Sequence, residues 1–206
     1  MINYIIGDIF NSGMQTIVNP VNTQGVMGSG LALYFRILLP GMYKDYREIC
    51  KKKLLKPGTL WLYNYAKRWR VLCFPTKESW MSSSSYTIIE QGLQKFISTY
   101  KEKGITSVAF PILGAGLGKL DNKTVLGIMR RYLEPLDIPV EIWSHRKGDG
   151  DFILEEIKKR SDPRKPIYQD YCKFTRIRDY VESIPDMTKD EMYEDIGHYL
   201  EFDTKK

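Results

Sequence analysis

Histidine is nearly absent. The 206 residues hold two, His145 and His198. Neither stands in a cluster of acids or cysteines, so neither a catalytic metal nor a metal cofactor is expected. No other resident cofactor is indicated. Cysteine is almost as scarce: Cys50, Cys73 and Cys172 lie far apart. An odd number outside any metal spacing argues against a disulfide framework. It points to free thiols in a reducing, cytoplasmic setting. No apolar run approaches the roughly 20 residues that a membrane-spanning helix needs, so no membrane partner is expected. The opening MINYIIGDIF has no basic leader and no cleavage pattern. It reads as a first strand and not as a signal peptide.

What is present suits a packed domain. Hydrophobic residues make up 43% of the chain, enough for an ordinary core. The length suits one domain with an extension. The formal net charge is +6 and the sequence pI is near 9.0. A basic balance fits either solvated lysines or an anionic ligand: a nucleotide, a nucleic acid, or both.

Apolar periodicity organises the first three quarters. Residues 2–6 and 14–19 read as strands. LALYFRILLP (31–40) reads as a helix stopping at Pro40-Gly41, and 42–53 as a second, amphipathic one. TLWLYNY and RWRVLCFP form a hairpin turning near Ala66-Lys67. SSSSYTIIEQGLQKFISTYKEKG is a long helix capped by serine and terminated by Gly104. SVAFPIL is a buried strand, NKTVLGIMRRYLEPL a helix and PVEIWS the last strand. The alternation predicts an α/β fold, a mixed, mostly parallel sheet between helices in three layers. After about residue 155 charge and proline take over. Residues 156–206 are expected to be a short, partly helical C-terminal extension packed on the domain at 1–155.

Two glycine loops follow strands. IVNPVNTQGVMGSGLA (17–32) places Asn19 and Asn22 around a strand exit, then a loop with little side chain. GAGLGKL follows the SVAFPIL strand. In open α/β sheets ligands sit outside the carboxyl ends of strands. Glycine lets backbone N–H groups approach an anion, and the next helix adds its positive N-terminus. Two such loops at strand exits suit a pyrophosphate in one crevice. Asn22 would offer its amide to a sugar hydroxyl, since it donates and accepts at once.

Gly7-Asp8-Ile9, Val18-Asn19-Pro20-Val21-Asn22 and the two glycine loops together resemble a macrodomain, the ADP-ribose-binding module. The resemblance covers about residues 1–155. Three further matches bring it nearest to the DarG-type DNA ADP-ribosyl glycohydrolases, antitoxins that remove ADP-ribose from DNA bases. These are Val26-Met27-Gly28, Phe74-Pro75-Thr76-Lys77 with Trp80, and Gly114-Ala115-Gly116-Leu117-Gly118.

The resemblance implies roles. Asp8 would accept from the adenine amino group and the Ile9 amide would hold the ring edge. Gly28, Ser29 and Gly30, with Leu113, Gly114, Ala115, Gly116, Leu117 and Gly118, would wrap pyrophosphate and distal ribose. Asn19 belongs to the same binding set. Asn22 would touch the distal ribose, and Lys77 would sit by the anomeric carbon. Asn22 and Lys77 are thus the catalytic candidates. A desolvated, neutral lysine attacks an aldehyde; a charged one orients or stabilises. Related glutamate-releasing hydrolases place an aspartate where this chain has Gly118. Asp121, three residues on, is the remaining candidate for an aspartate partner of the lysine, with capping of the following helix as the role expected of it.

The implied partners are ADP-ribose and ADP-ribosylated single-stranded DNA. A toxin-type ADP-ribosyltransferase is the implied functional counterpart, and the protein is expected to be a monomer. About 50 tail residues are too few for the large second domain of such antitoxins. A phosphatase acting on ADP-ribose 1″-phosphate and a non-catalytic ADP-ribose reader stand as alternatives. Trp143 is expected in the core and His145 and His198 in solvent. The run Tyr63–Arg70 suits an exposed hairpin or a stacking surface for single strands.

Overall fold

The computed structural model describes residues 1–64 and 70–145, with residues 188–191, 193 and 196. Its elements are β1 (Ile2–Ile6), a 3-10 turn (Ile9–Asn11), β2 (Thr16–Val21), α1 (Gly30–Leu38), α2 (Pro40–Lys51), β3 (Trp61–Asn64), β4 (Arg70–Pro75), α3 (Tyr86–Thr99), β5 (Val108–Pro111), α4 (Asn122–Leu133) and β6 (Val140–Ser144). Met1–Val26 and Asp45–Arg146 form one compact unit; Met27–Lys44 and the described C-terminal residues belong to another.

In the first unit the six strands run in the order β1-β6-β5-β2-β4-β3. Only β3 is antiparallel to its neighbour. The carboxyl ends of five parallel strands therefore share one edge. The sheet is mixed and flanked by helices, as the alternation predicted.

Side chains alternate across the strands. Val18, Leu72, Phe74, Val108, Phe110, Val140 and Ile142 face α3 and α4, which contribute Ile89, Leu93, Phe96, Val125, Met129 and Leu133. Phe110 takes the edges of Phe96 at 5.2 Å and Phe74 at 6.4 Å. A Cβ at Gly92 of α3 would lie 2.3 Å from the Phe74 ring, so glycine sets how closely this helix packs on β4. On the opposite face Cys73 lies near Cys50 and Tyr46 of α2. Burial pushes both thiols above their ordinary range, so neither is a ready nucleophile at neutral pH.

Several boundaries differ from expectation. β2 ends at Val21, not at residue 19, which puts Asn19 inside the strand. Pro40 begins α2 instead of ending α1. Proline lacks the N–H that a first helical turn leaves unbonded. Ser85 precedes α3 without a side-chain capping bond, whereas Asp121 does cap α4, accepting from the Thr124 amide at 2.8 Å. Gly104 ends the α3 segment in the left-handed region, at φ 62°. The predicted turn at Ala66-Lys67 lies outside the described residues, as do Cys172, His198 and nearly all of the extension at 156–206. Arg70, at the end of the aromatic–basic run, binds Asn64 Oδ1 and the carbonyls of Lys103 and Gly104 at 2.7–2.8 Å. It staples the chain after α3.

In the second unit α1 buries Leu33, Phe35, Ile37 and Leu38. The Arg36 guanidinium lies over Tyr43 at 4.5 Å and Tyr193 at 4.9 Å and pairs with Asp190 at 2.5 Å. Residues 189–191, 193 and 196 are helical. Thr188 and Glu191 close this segment's start with reciprocal bonds, a capping box.

Candidate functional site

The five parallel strand ends present their loops along one edge, where an α/β sheet takes its ligands. β1 leads into Gly7, held at φ 149° with its amide on the Ser144 carbonyl at 3.0 Å. Asp8 follows and caps the 3-10 turn, accepting from the Phe10 amide at 3.0 Å. Ile9 and Phe10 are buried behind it. At the β6 end Trp143 is half-buried with Nε1 on Glu141 at 2.8 Å, and His145 is exposed.

β2 delivers Asn22, 5% exposed. Its Oδ1 accepts from the Gln24 amide at 3.0 Å and the Val26 amide at 3.3 Å, and its Nδ2 donates to the Val26 carbonyl at 2.6 Å. The Tyr46 hydroxyl reaches the Asn22 carbonyl at 2.6 Å. The amide expected to meet a sugar thus folds its own loop. Asn19 is fully buried within β2, beside Cys73 in register.

β4 delivers Lys77 directly after the buried Pro75 and Thr76. Its amine donates to the carbonyls of Ser82 at 3.0 Å and Trp80 at 3.3 Å. An ammonium has three N–H donors, so one remains. Partial burial and the nearby positive Lys119 both lower its pKa. The Thr23 amide on the Glu78 carbonyl (3.1 Å) and the Trp80 amide on Gln24 Oε1 (3.3 Å) bring the β2 and β4 loops together.

β5 delivers the glycine loop. Leu113 is in the core, leaving only its backbone for a ligand. Gly114 sits at φ 67°. The Leu120 amide returns to the Gly114 carbonyl at 3.1 Å and the Lys119 amide to Gly116 at 3.1 Å. A Cβ on Gly118 would lie 2.3 Å from the Gly114 carbonyl oxygen and 2.3 Å from Ser84 Oγ. A Cβ on Gly116 would meet nothing within 4 Å. Ala115 is half-buried, and Gly116 and Leu117 are exposed.

Sequence reasoning missed Ser84 and Lys119. The Ser84 amide holds the Gly118 carbonyl at 3.0 Å, and its buried hydroxyl makes no hydrogen bond. A run of four serines read as helix caps conceals it. Lys119 is one lysine among many until the fold sets it beside Lys77.

In the second unit Ser29 precedes α1 with no side-chain cap, and Gly30 opens the helix at φ 58°. Gly28 and Gly30 are exposed and Met27 is buried. This is backbone of the kind an anion can use. Among the described residues no group of three histidine, cysteine or acidic side chains is placed to hold a metal. No helix among them is long and apolar enough to cross a membrane.

The sheet, with the loops of five parallel strands along one edge, defines an open α/β protein. Residues 18–129, more than half of the chain, match the Macro domain family, and the chain belongs to that family. It is 38% identical over 161 residues to a DNA ADP-ribosyl transferase-DNA ADP-ribosyl glycohydrolase fusion protein of Thermosipho africanus, covering 69% of this chain and 41% of that one. The solved Thermosipho africanus DarTG in complex with ADP-ribose superposes with a TM-score of 0.66 at 39% identity, covering 70% of this chain and 42% of that one. The macrodomain of Thermus aquaticus DarG gives a TM-score of 0.67 at 31% identity, covering 70% of this chain and 98% of that one. The chain spans less than half the length of the curated DNA ADP-ribosyl glycohydrolases it matches.

Proposed function

We propose that the chain binds ADP-ribose along this edge and hydrolyses the bond between its distal ribose and a base of single-stranded DNA. The observation that carries the reading is Lys77. It places an amine of lowered pKa, with a donor to spare, on the β4 turn that is bonded to the β2 loop and lies near Lys119 of the β5 loop.

The order of the strands supports the direction in which the ligand lies. Asp8 follows β1 and Lys77 follows β4, four strand spacings apart, or about 19 Å. ADP-ribose is long and differs at its two ends. Adenine is assigned to Asp8 and the Ile9 amide, and the distal ribose to Lys77. The Gly114–Gly118 loop, after β5, lies between them and offers amides to the pyrophosphate. In the second unit, the amides of Gly28, Ser29 and Gly30 are proposed as phosphate donors in their own right, as backbone at a helix start. Asn22 acts by holding the Asn22–Val26 loop, and Asn19 by supporting it from within β2.

Two roles are open to Lys77 on this reading. As an ammonium it would orient the ribose through its remaining N–H. As a neutral amine it would attack the anomeric carbon of the opened ribose, where ring opening has left an iminium to the base. The base nitrogen leaves with the proton the amine gives up, and water hydrolyses the resulting lysine imine to the sugar aldehyde and the free amine. The counterpart activity is a transferase that modifies DNA, since the Thermosipho africanus relative is named for both activities in one chain. An antitoxin-like monomer working in the cytoplasm fits this assignment.

One assay tests the reading. The protein is incubated separately with ADP-ribosylated single-stranded DNA, ADP-ribosylated protein and ADP-ribose 1″-phosphate. Release of ADP-ribose from DNA is expected. Lys77→Ala should cut that rate about 100-fold or more while ADP-ribose binding stays near wild type. Turnover of the phosphate alone would make the protein a phosphatase, and binding without turnover would make it a reader. DNA hydrolysis at the wild-type rate by Lys77→Ala would remove the lysine from the chemistry.

A further inference from the structure

The segment after β4 is tied down by many bonds, yet it holds two large apolar side chains in water. The Lys77 amine takes the Trp80 and Ser82 carbonyls. The Ser82 amide and hydroxyl return to the Ser79 carbonyl at 3.2 and 2.8 Å, and the Met81 amide to Ser79 Oγ at 3.2 Å. The Trp80 amide reaches Gln24, and the Thr23 amide and hydroxyl reach Glu78. This turn has a fixed shape, and its tip is Trp80, 54% exposed, and Met81, 74% exposed. Leu117, on the loop that carries Lys119, is 62% exposed.

Exposed single apolar residues are ordinary. An exposed tryptophan and an exposed methionine in sequence, on a turn that the candidate catalytic amine itself closes, offer a platform. The charge around it is positive: Lys77 and Lys119 are close enough for one to lower the pKa of the other. The described acid of this turn, Glu78, is exposed. A flat aromatic face with adjoining cations fits a nucleobase and its phosphate better than an acidic or apolar protein surface.

We propose that Trp80, with Met81 at its side, stacks on the base next to the ADP-ribosylated one and so sets a preference for single-stranded DNA over isolated adducts. The proposal rests on the hydrolase reading above and deepens it. Stacking on one aromatic face is tolerant of sequence, so the preference is for an unpaired neighbour and not for a particular base.

The test compares two DNA-type substrates: an ADP-ribosylated single-stranded decamer and the same adduct on a mononucleotide. In wild type the decamer should have the lower KM. Trp80→Ala should raise the decamer KM about 10-fold, with kcat within about two-fold and the mononucleotide KM unchanged. Trp80→Phe should retain most of the decamer preference. ADP-ribose affinity by calorimetry should not move in either variant. Equal decamer KM in wild type and Trp80→Ala would overturn the proposal and leave the hydrolase reading standing. An equal loss on both substrates would also overturn it, marking Trp80 as a support for the Lys77 turn. An equal KM rise on ADP-ribosylated protein would do the same, in favour of a protein-docking surface. If wild type hydrolyses neither DNA-type substrate, the hydrolase reading fails. The platform is then judged by anisotropy with an unmodified decamer: about 10-fold weaker binding by Trp80→Ala upholds it, and unchanged binding ends it.

Discussion

The loops after β2 and β5 leave neighbouring parallel strands, yet they keep their shapes by opposite means. The first is held by a side chain. The Asn22 amide bonds two loop amides and one loop carbonyl, and Tyr46 fixes the Asn22 carbonyl from α2. The second is held by the absence of side chains. Gly114 needs its positive φ, and Gly118 has no room for a methyl group. Between them Gly116 has both ordinary φ and open space. The fold demands glycine at the two ends of this loop and not in its middle. Where the fold makes no demand, the proposed ligand is what would require the small residue.

The largest effect should come from separating those two kinds of glycine. Gly116→Glu should melt like wild type while losing ADP-ribose affinity by about 100-fold or more, because a carboxylate displaces and repels phosphate. Gly118→Ala should do the reverse, lowering Tm markedly through its collision with the Gly114 carbonyl and Ser84. Calorimetry beside thermal melting checks both. Unchanged affinity in a folded Gly116→Glu variant would remove this loop from the site.

The β2 loop should answer differently. Asn22→Ala strips three bonds to its own loop and a longer one from the Tyr46 hydroxyl, and leaves loop amides without their acceptor, a cost of roughly 2–4 kcal/mol in denaturant unfolding. Asn22→Asp keeps an acceptor for Gln24 and Val26 but turns a second oxygen toward the Val26 carbonyl, now 2.6 Å from a donor. It should be no better tolerated than alanine. If Asn22→Ala instead keeps wild-type stability and loses affinity, the amide serves the ribose and the contrast between the loops collapses.

The sequence carried much of this and hid the rest for identifiable reasons. Strand periodicity and the glycine loops placed Asn22, Lys77 and Gly114–Gly118 at strand exits, because a strand, a turn and a helix each leave a local pattern. The cap by Asp121 was legible for the same reason. What the pattern could not show is where a polar group directs its bonds. Asn22 and Asp8 have the chemistry of ligand contacts, yet both bond their own loops. Pro40 reads as a helix stop from its missing N–H, and the same absence makes it a helix start. Ser84 and Lys119 act through neighbours far away in the chain, and no local signal marks them.

Lys119 gives the smallest effect and the one that distinguishes the two roles of Lys77. Burial lowers the Lys77 pKa first, and the positive charge of Lys119 lowers it further. Lys119→Gln removes the second cause, so the Lys77 pKa should rise toward the ordinary lysine value, with burial still holding it below. If the neutral amine attacks the sugar, the rate climbs with pH through this pKa. The climb should then move to higher pH in Lys119→Gln, with a lower rate near neutrality and the same plateau. If the ammonium orients the ribose, the rate falls with pH through this pKa, and the variant should stay active to higher pH. Stability has its own sign. A lowered folded-state pKa means that the unfolded chain holds more protons in the window between the folded and unfolded values, so stability rises with pH there. Lys119→Gln should narrow that window from below. A kcat profile and an unfolding series at stepped pH check both, and superimposable profiles for wild type and variant would mean that Lys119 does not act on Lys77.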